Sequence, residues 1–247
     1  SWLEDSLAAA GSNAAVEGAD ASMATLTDAV ERTNNTQILT KAFQVSATAD
    51  AVGTYGRAKE TAHQLGKALK EIKRDAEFAL VGADQAAVGG SSSVARQMAS
   101  AIAQISTVEA GGSAALTETM LLNAGQTAYN AGSDVDTFMI KPADAQIVAG
   151  FSASAGRNRE IAQGKTLVNA IDLYVSPYGE YRVVLNRHLE SSHALLIDPS
   201  MFKTCTLRPF TRTLLSKSGD SDKHFVVGEM SCKHMNFADS VKINALT

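Results

Sequence analysis

The chain has 247 residues, 45% of them apolar, which is enough for one large domain or two small ones around a real core. A formal net charge of -4 excludes a global polycation and argues against a dedicated nucleic-acid binder. The only cysteines, Cys205 and Cys232, lie far apart in sequence, which argues against a disulfide framework and for a reducing compartment, with both thiols expected as small buried apolar groups.

The chain opens Ser1-Trp2 instead of on Met, which predicts an upstream segment, either removed or not included. No apolar run approaches the roughly 20 residues that span a bilayer, and no secretory signal is visible. Residues 1–29 carry Glu4, Asp5, Glu17, Asp20 and Asp28 and neither Lys nor Arg. Leu3 and Leu7 predict one helical turn anchored by Trp2. The rest, rich in Ala, Gly and Ser, has little to bury and predicts an extended arm ordered by lying on something else.

Residues 37–48 alternate loosely, with Ile38, Thr40, Ala42 and Gln44 on one side and Leu39, Lys41, Phe43 and Val45 on the other. Their composition favours a strand, bracketed by turn chemistry at Asn34-Asn35-Thr36 and Ala49-Asp50. So short an element needs a partner surface. Next, Tyr55, Ala58, Ala62, Leu65, Leu69, Ile72, Ala76 and Ala79 mark one face of a long helix, with Thr54 as N-cap and Gly82 as stop. Its opposite face holds Arg57, Lys59, Glu60, Lys67, Lys70, Glu71, Lys73, Arg74 and Glu77. At about 1.5 Å per residue this is a rod of roughly 40 Å.

Between residues 83 and 134 charge is sparse. Gly89-Gly90-Ser91-Ser92-Ser93 and Gly111-Gly112-Ser113 predict loops. Residues 117–130 predict a helix capped by Thr117, with Glu118 in its first turn and an apolar stripe of Met120, Leu121, Ala124 and Ala128. Thr137-Phe138-Met139-Ile140 predicts a short buried strand, and Pro142 opens another helix. A polar loop over residues 157–165 then leads to a strand over residues 166–174.

The last third reads as an antiparallel meander, with strand-like pieces at residues 175–187, 194–199, 206–212 and 224–230 and a polar loop at residues 216–223. Cationic side chains are interleaved among these strands. His63, His188, His193, His224 and His234 make no zinc spacing. Asp220-Ser221-Asp222 lacks the Gly and Glu of a calcium loop and predicts a solvated turn. Gly89-Gly90-Ser91 lacks the Lys of a phosphate loop and the frame of a nucleophile elbow. With no catalytic frame, an enzyme has no support, and no cofactor or metal is expected.

Several phrases, in this order, carry a family resemblance: Trp2-Leu3-Glu4-Asp5-Ser6-Leu7, Glu17-Gly18-Ala19-Asp20, Arg32-Thr33-Asn34-Asn35-Thr36-Gln37-Ile38 and Tyr55-Gly56-Arg57. Lys73-Arg74-Asp75-Ala76-Glu77, Pro177-Tyr178-Gly179-Glu180-Tyr181 and Leu214-Leu215-Ser216-Lys217-Ser218-Gly219-Asp220-Ser221 continue it. The chain resembles the major capsid proteins of tailed double-stranded DNA bacteriophages over nearly its whole length. The resemblance implies an α+β fold of the Hong Kong 97 type. Residues 1–29 would be its N-terminal arm, residues 30–53 an extended β loop reaching over a neighbour, and residues 54–100 a peripheral domain with a long spine helix. Residues 101–173 would be an axial α/β domain, and residues 174–247 strands of the peripheral sheet returning toward it.

The function so implied is mechanical: a head protein that self-assembles into hexamers and pentamers of an icosahedral shell. The shell encloses double-stranded DNA without sequence-specific binding and without a membrane. The partners implied are other copies of the chain, a portal, and scaffold, protease or decoration proteins. The place implied is the virion shell, after synthesis in the host bacterial cytoplasm. Trp2, Lys41, Phe43, Arg187, Arg208 and Arg212 are the interface candidates, the arginines, with Lys203, as targets for an acidic arm. Some proteins of this fold join Lys to Asn covalently, and Lys41 lies in the expected loop, but no Asn partner stands out. A filament or surface-layer protein would share the arm, the loop and the self-association.

Overall fold

A long amphipathic helix on a three-stranded sheet makes one half of the molecule, and a six-stranded mixed sheet makes the other. This computed structural model describes residues 1–8, 11–18, 20, 23, 26–52, 55–56, 59–154, 173–217 and 219–247. The expected Thr54 cap, the loop at residues 157–165 and the strand from residue 166 to 172 lie outside them.

The chain begins with β1 (Trp2–Glu4), paired antiparallel with β2 (Val30–Arg32). The helical turn expected near Trp2 is therefore a strand, because the backbone donors of residues 2–4 are taken by β2. Next come β3 (Gln37–Ser46) and the one-turn α1 (Ala47–Ala51), capped by the Ser46 hydroxyl. The long helix α2 (Glu60–Glu77) runs on into a π-helical turn, Phe78–Gly82. It starts later than its pattern predicts. Gly56 takes a left-handed φ of 79°, and Tyr55 is fully exposed with nothing to pack on. Lys59 gives no side-chain cap; instead the Asp50 carboxylate accepts the Thr61 N–H at 3.0 Å. That bond, ahead of the charge of Lys59, holds the Asp50 carboxyl below the usual carboxylate range.

The inward face of α2 carries Leu65, Ala68, Ile72, Ala76 and Ala79, whereas Leu69 is 40% exposed. Ile72 packs with Leu39, Val226 and Met230 against the sheet. That sheet runs β3–β10–β9, all antiparallel, from β9 (Phe202–Leu214) and β10 (Ser221–His234). The polar loop expected at residues 216–223 is shorter, since Ser221 is buried and already pairs with Ser46. Residues 37–46, expected as a strand within an extended β loop, are hydrogen-bonded to β10 over their full length.

The second half contains α3 (Ala101–Gln104), β4 (Thr107–Ala114), α4 (Glu118–Asn130), β5 (Thr137–Ile140), α5 (Ala145–Ser154), β6 (Leu173–Ser176), β7 (Gly179–Leu185), β8 (Ala194–Ile197) and β11 (Val241–Leu246). The strands order β4–β11–β8–β5–β7–β6, with β4–β11 and β5–β7 parallel. Thr117 caps α4 by accepting the Met120 N–H. The α4 stripe of Leu121, Ala124 and Ala128 lies in the main core with Phe138, Ile140, Tyr181, Leu196 and Ile243. The C-terminal strands are thus not one meander. The pieces β6, β7, β8 and β11 join β4 and β5, and only β9 and β10 lie with α2. The fully buried run Ala194–Ile197 fits a central strand covered on both faces.

Gly111-Gly112-Ser113, expected as a loop, lies inside β4, where left-handed φ values at Gly112, Ser113 and Ala245 accompany a register shift against β11. A Cβ on Gly111 would run into the Asn244 carbonyl, so β11 approaches only because glycine is there. Gly66, on the exposed side of α2, has open space around it. Gly111→Ala is expected to destabilise by about 1–3 kcal/mol. Gly66→Ala is expected to stabilise by about 0.5–1 kcal/mol. Urea unfolding of the unassembled protein measures both, and like signs would contradict this packing.

Candidate assembly interface

The β1–β2 pair closes the base of the segment between residues 5 and 29. The base is nailed to the body by aromatic and cationic contacts. The Trp2 ring lies 6.1 Å from Phe237, the Arg32 guanidinium sits 4.7 Å over the Phe237 ring, and Lys233 Nζ is 5.5 Å from the Trp2 ring. Arg32 also pairs with Glu4 at 2.5 Å. Beneath them the His234 imidazole is stacked between Phe202, at 4.1 Å, and Phe237, at 5.8 Å. Burial holds His234 neutral, its pKa pushed down to about 4. Beyond the base, Leu7, Val16, Met23 and Leu26 are 98%, 78%, 93% and 89% exposed.

Lys41 and Phe43 share the α2-facing side of β3, and the arginine candidates lie on β9 and in the turn after β7. Lys41 faces α2, 2.9 Å from Asp75 and 4.0 Å from Glu71. Its hydrogen bond to Asp75 raises its pKa. Phe43 is half-buried against His224 at 4.9 Å. Arg212 donates from Nε to His224 Nδ1 at 3.3 Å. Burial, then the Arg212 charge, lowers the pKa of that imidazole. Arg208 binds the buried Glu229 at 2.9 Å. Arg187 is exposed in the turn after β7. The structure therefore gathers Phe43 and Arg212 around His224. It ties Lys41 and Arg208 to carboxylates of their own chain and leaves Trp2 and Arg187 apart.

Sequence reasoning missed the polar joints that hold this surface together. Glu229, 3% exposed, accepts from Thr36, Arg96 and Arg208, and so links the segment before β3, the loop after α2 and strand β9. The Thr36 hydroxyl, then the arginines, hold its carboxyl below the usual range. Asn34 bonds the Cys232 carbonyl at 2.6 Å and both backbone groups of Ala99, at 3.1 and 2.7 Å. Gln104 receives the His234 N–H at 3.0 Å. The signal was present only as isolated amides in polar loops, with no spacing to pair them.

Cys232 is buried, its thiol pushed up to about 11, but Cys205 is exposed, against expectation, because β9 is an edge strand. Among the described residues no group of three or more His, Cys, Asp or Glu is placed to hold a metal ion. No described helix is long and apolar enough to cross a membrane.

A family model for the SU10 major capsid protein matches residues 1–247. The chain belongs to that family. The capsid protein is 29% identical to a major capsid protein of Escherichia phage Phieco32, over 99% of this chain and 85% of that one. Its fold is similar to a structure from Gordonia phage Cozz, at a TM-score of 0.63 with 12% identity, covering 99% of this chain and 79% of that one. It is similar as well to the SrpI encapsulin complex of Synechococcus elongatus PCC 7942, at a TM-score of 0.58 with 9% identity, covering 90% and 77%. The fold is thus the α+β type of Hong Kong 97-like phage capsids. The capsid protein is a structural, shell-forming protein of the virion that assembles with copies of itself.

A His234 pKa depressed to about 4 means that the unfolded chain binds a proton between pH 6.5 and about 4 that the folded chain refuses. Stability is then full above pH 6.5 and falls as pH drops to about 4. His234→Phe keeps the stack and should flatten that fall in urea midpoints measured at pH 7.5, 6 and 5. An equally steep fall in the variant would contradict the buried neutral imidazole.

Proposed function

We propose that copies of this chain form hexamers and pentamers that close into an icosahedral shell around double-stranded DNA. One observation carries this reading most directly: a family of shell proteins is matched over all 247 residues by a chain whose loop at residues 5–29 spreads apolar side chains into solvent. A monomer gains nothing by exposing Leu7, Val16, Met23 and Leu26, whereas a neighbour that covers them gains roughly 1.5–3 kcal/mol for each side chain buried. Repeated over a shell, such weak joints sum to strength while still allowing errors to anneal.

In this reading the half built on the six-stranded sheet sits at the capsomer centre, and the half built on α2 lies at its periphery. The loop at residues 5–29 lies on a neighbour. Its carboxylates Glu17, Asp20 and Asp28 meet Arg187, Lys203 and Arg212, cations without a carboxylate partner among the described residues. Arg208 and Lys41, each already paired within the chain, brace the surface instead of reaching across. Trp2 and Phe43 fix the two edges of it. The protein performs no bond-making of its own. It is made in the host bacterial cytoplasm and works with a portal and with scaffold, protease or decoration proteins.

Negative-stain microscopy of the purified, assembled protein should show closed isometric shells; open sheets or fibres would replace this reading with a filament or surface-layer protein. Within it, Val16→Ser, Met23→Ser and Leu26→Ser should each weaken assembly by about tenfold. Arg187→Glu and Arg212→Glu should also lower shell yield. Urea midpoints of the unassembled variants with changes in residues 5–29 should stay at the parent value. Parental shell yield from all of them would remove the loop from the joint.

A further inference from the structure

The three-stranded layer has two sides of different character. On the bare side of the sheet, Ile38, Thr40 and Ala42 of β3 are exposed, and the register sets them beside Val227 and Phe225 of β10 and Thr211 and Thr213 of β9. That side is apolar around Thr40 and Ala42, and at its Ile38 end it carries the Glu229 carboxylate paired with Arg208 and Arg96. The other side is covered by α2, whose outward surface carries Lys67, Lys70, Lys73 and Arg74, all exposed. The carboxylates of the helix are engaged elsewhere. Asp75 and Glu71 turn to Lys41, Glu77 accepts from Asn186 at 2.7 Å, and Glu60 accepts from Gln64 at 2.6 Å. Lys67 shares Glu71 at 3.8 Å, and Lys70, Lys73 and Arg74 have no carboxylate within ion-pair distance among the described residues. A groove of about 380 Å³ at the end of the row is lined by Lys41, Glu71, Arg74, Asp75, Phe78 and His188, its two carboxylates being those turned to Lys41.

We infer that this cationic side of α2 faces the shell interior and holds the phosphates of packaged duplex DNA, without reading sequence. The inference rests on the shell reading above. Spacing favours a polyanion: residues 67–74 span roughly 10 Å of helix axis at 1.5 Å per residue. At about 3.4 Å between phosphates, four consecutive phosphates of one DNA strand fit along that length. A neighbour's loop at residues 5–29 fits this surface poorly. Its exposed side chains are Leu7, Val16, Met23 and Leu26, and the outward surface of α2 offers them only Leu69. The bare sheet side suits that loop better. A short cationic row on a chain of net charge -4 gives contacts weak enough for DNA to slide during packaging.

The test is binding of a 30-base-pair mixed-sequence duplex to the unassembled capsid protein, followed by fluorescence anisotropy from 50 to 200 mM salt. Four phosphates predict a log–log slope near -3.6 and roughly a 100-fold loss of affinity across that range. The triple variant Lys70→Gln, Lys73→Gln, Arg74→Gln should lose about 2.7 of that slope. Lys217→Gln, on the β9–β10 turn, should bind as the parent does. Equal duplex binding by the triple variant and the parent overturns the inference. So does a zero-length cross-link, in shells emptied of DNA, between Lys70 or Lys73 and a carboxylate of residues 5–29, which would give the surface to a second copy. Shell formation is scored separately by microscopy. Shells without duplex binding sink this inference alone, and failure of parent and variant alike to form shells sinks the reading beneath it.

Discussion

Three consecutive side chains in the π-helical turn that continues α2 decide how the two halves of the molecule are joined. Ala79 packs with Met98 and Cys232, Val81 packs with Ile102, Ile105, Leu189, Leu195 and Ile197, and Leu80 between them touches both groups and the Ile72 cluster as well. A regular helix turns each residue by about 100° and would send one of the three outward. The π-helical turn Phe78–Gly82 widens the backbone just there. Gly82 then ends it against the turn after β7, where a Cβ would meet the Phe78 ring and the His188 carbonyl. The helix is consequently a lever with a fixed foot. The end of the helix is thereby packed onto the six-stranded sheet, and the Glu77–Asn186 hydrogen bond adds a polar tie at the same place.

The edge strand β9 poses the opposite problem, since twelve of its thirteen residues are exposed along a free edge. Such an edge invites uncontrolled pairing. Here Pro209 removes a donor, and the ladder shifts register at Gly228, with the Phe210 ring lying over the glycine. Lys203, Arg208 and Arg212 add charge along the edge. Glu229 sits beside this irregularity and draws Arg96 and Arg208 together from two other segments. A buried carboxylate between two arginines adds little net stability, because desolvation offsets the attraction. Its effect is to specify one arrangement of β9, β10 and the loop after α2, so that the surface offered to neighbours is the same in every copy.

Periodicity made α2, α4, β5 and most of β3 legible, because in each the apolar residues recur at the spacing of the element itself. The capsid family was legible from ordered phrases spread over the chain, not from any one site. What failed had non-local causes. The pairing of β4 with β11 depends on Gly111 admitting a strand more than a hundred residues away, and Gly-Gly-Ser reads locally as a loop. The division of the C-terminal strands between two sheets depends on parallel partners that no hairpin signal announces. Arg208 and Lys41 looked available because their carboxylates, Glu229 and Asp75, are invisible as partners until the fold is built. Trp2, Leu3 and Leu7 fit a helical turn locally, but the contact that places Trp2 is Phe237, at the other end of the chain.

The aromatic base also limits which parts of the capsid protein can change during assembly. Trp2, Phe237, His234 and Phe202 form a continuous pile, and the Asn34 and Gln104 amides tie its surroundings to β10 and to the loop before α3. Burying that pile and satisfying those amides makes the start of the chain part of the core. The exposed apolar side chains of residues 5–29 hang from a base packed into the body. A closed loop with a fixed base loses less entropy on docking than a free terminus of the same length, because both its ends are already placed. In the proposed shell, each side chain it would deliver to a neighbour can therefore be individually weak while the joint still forms.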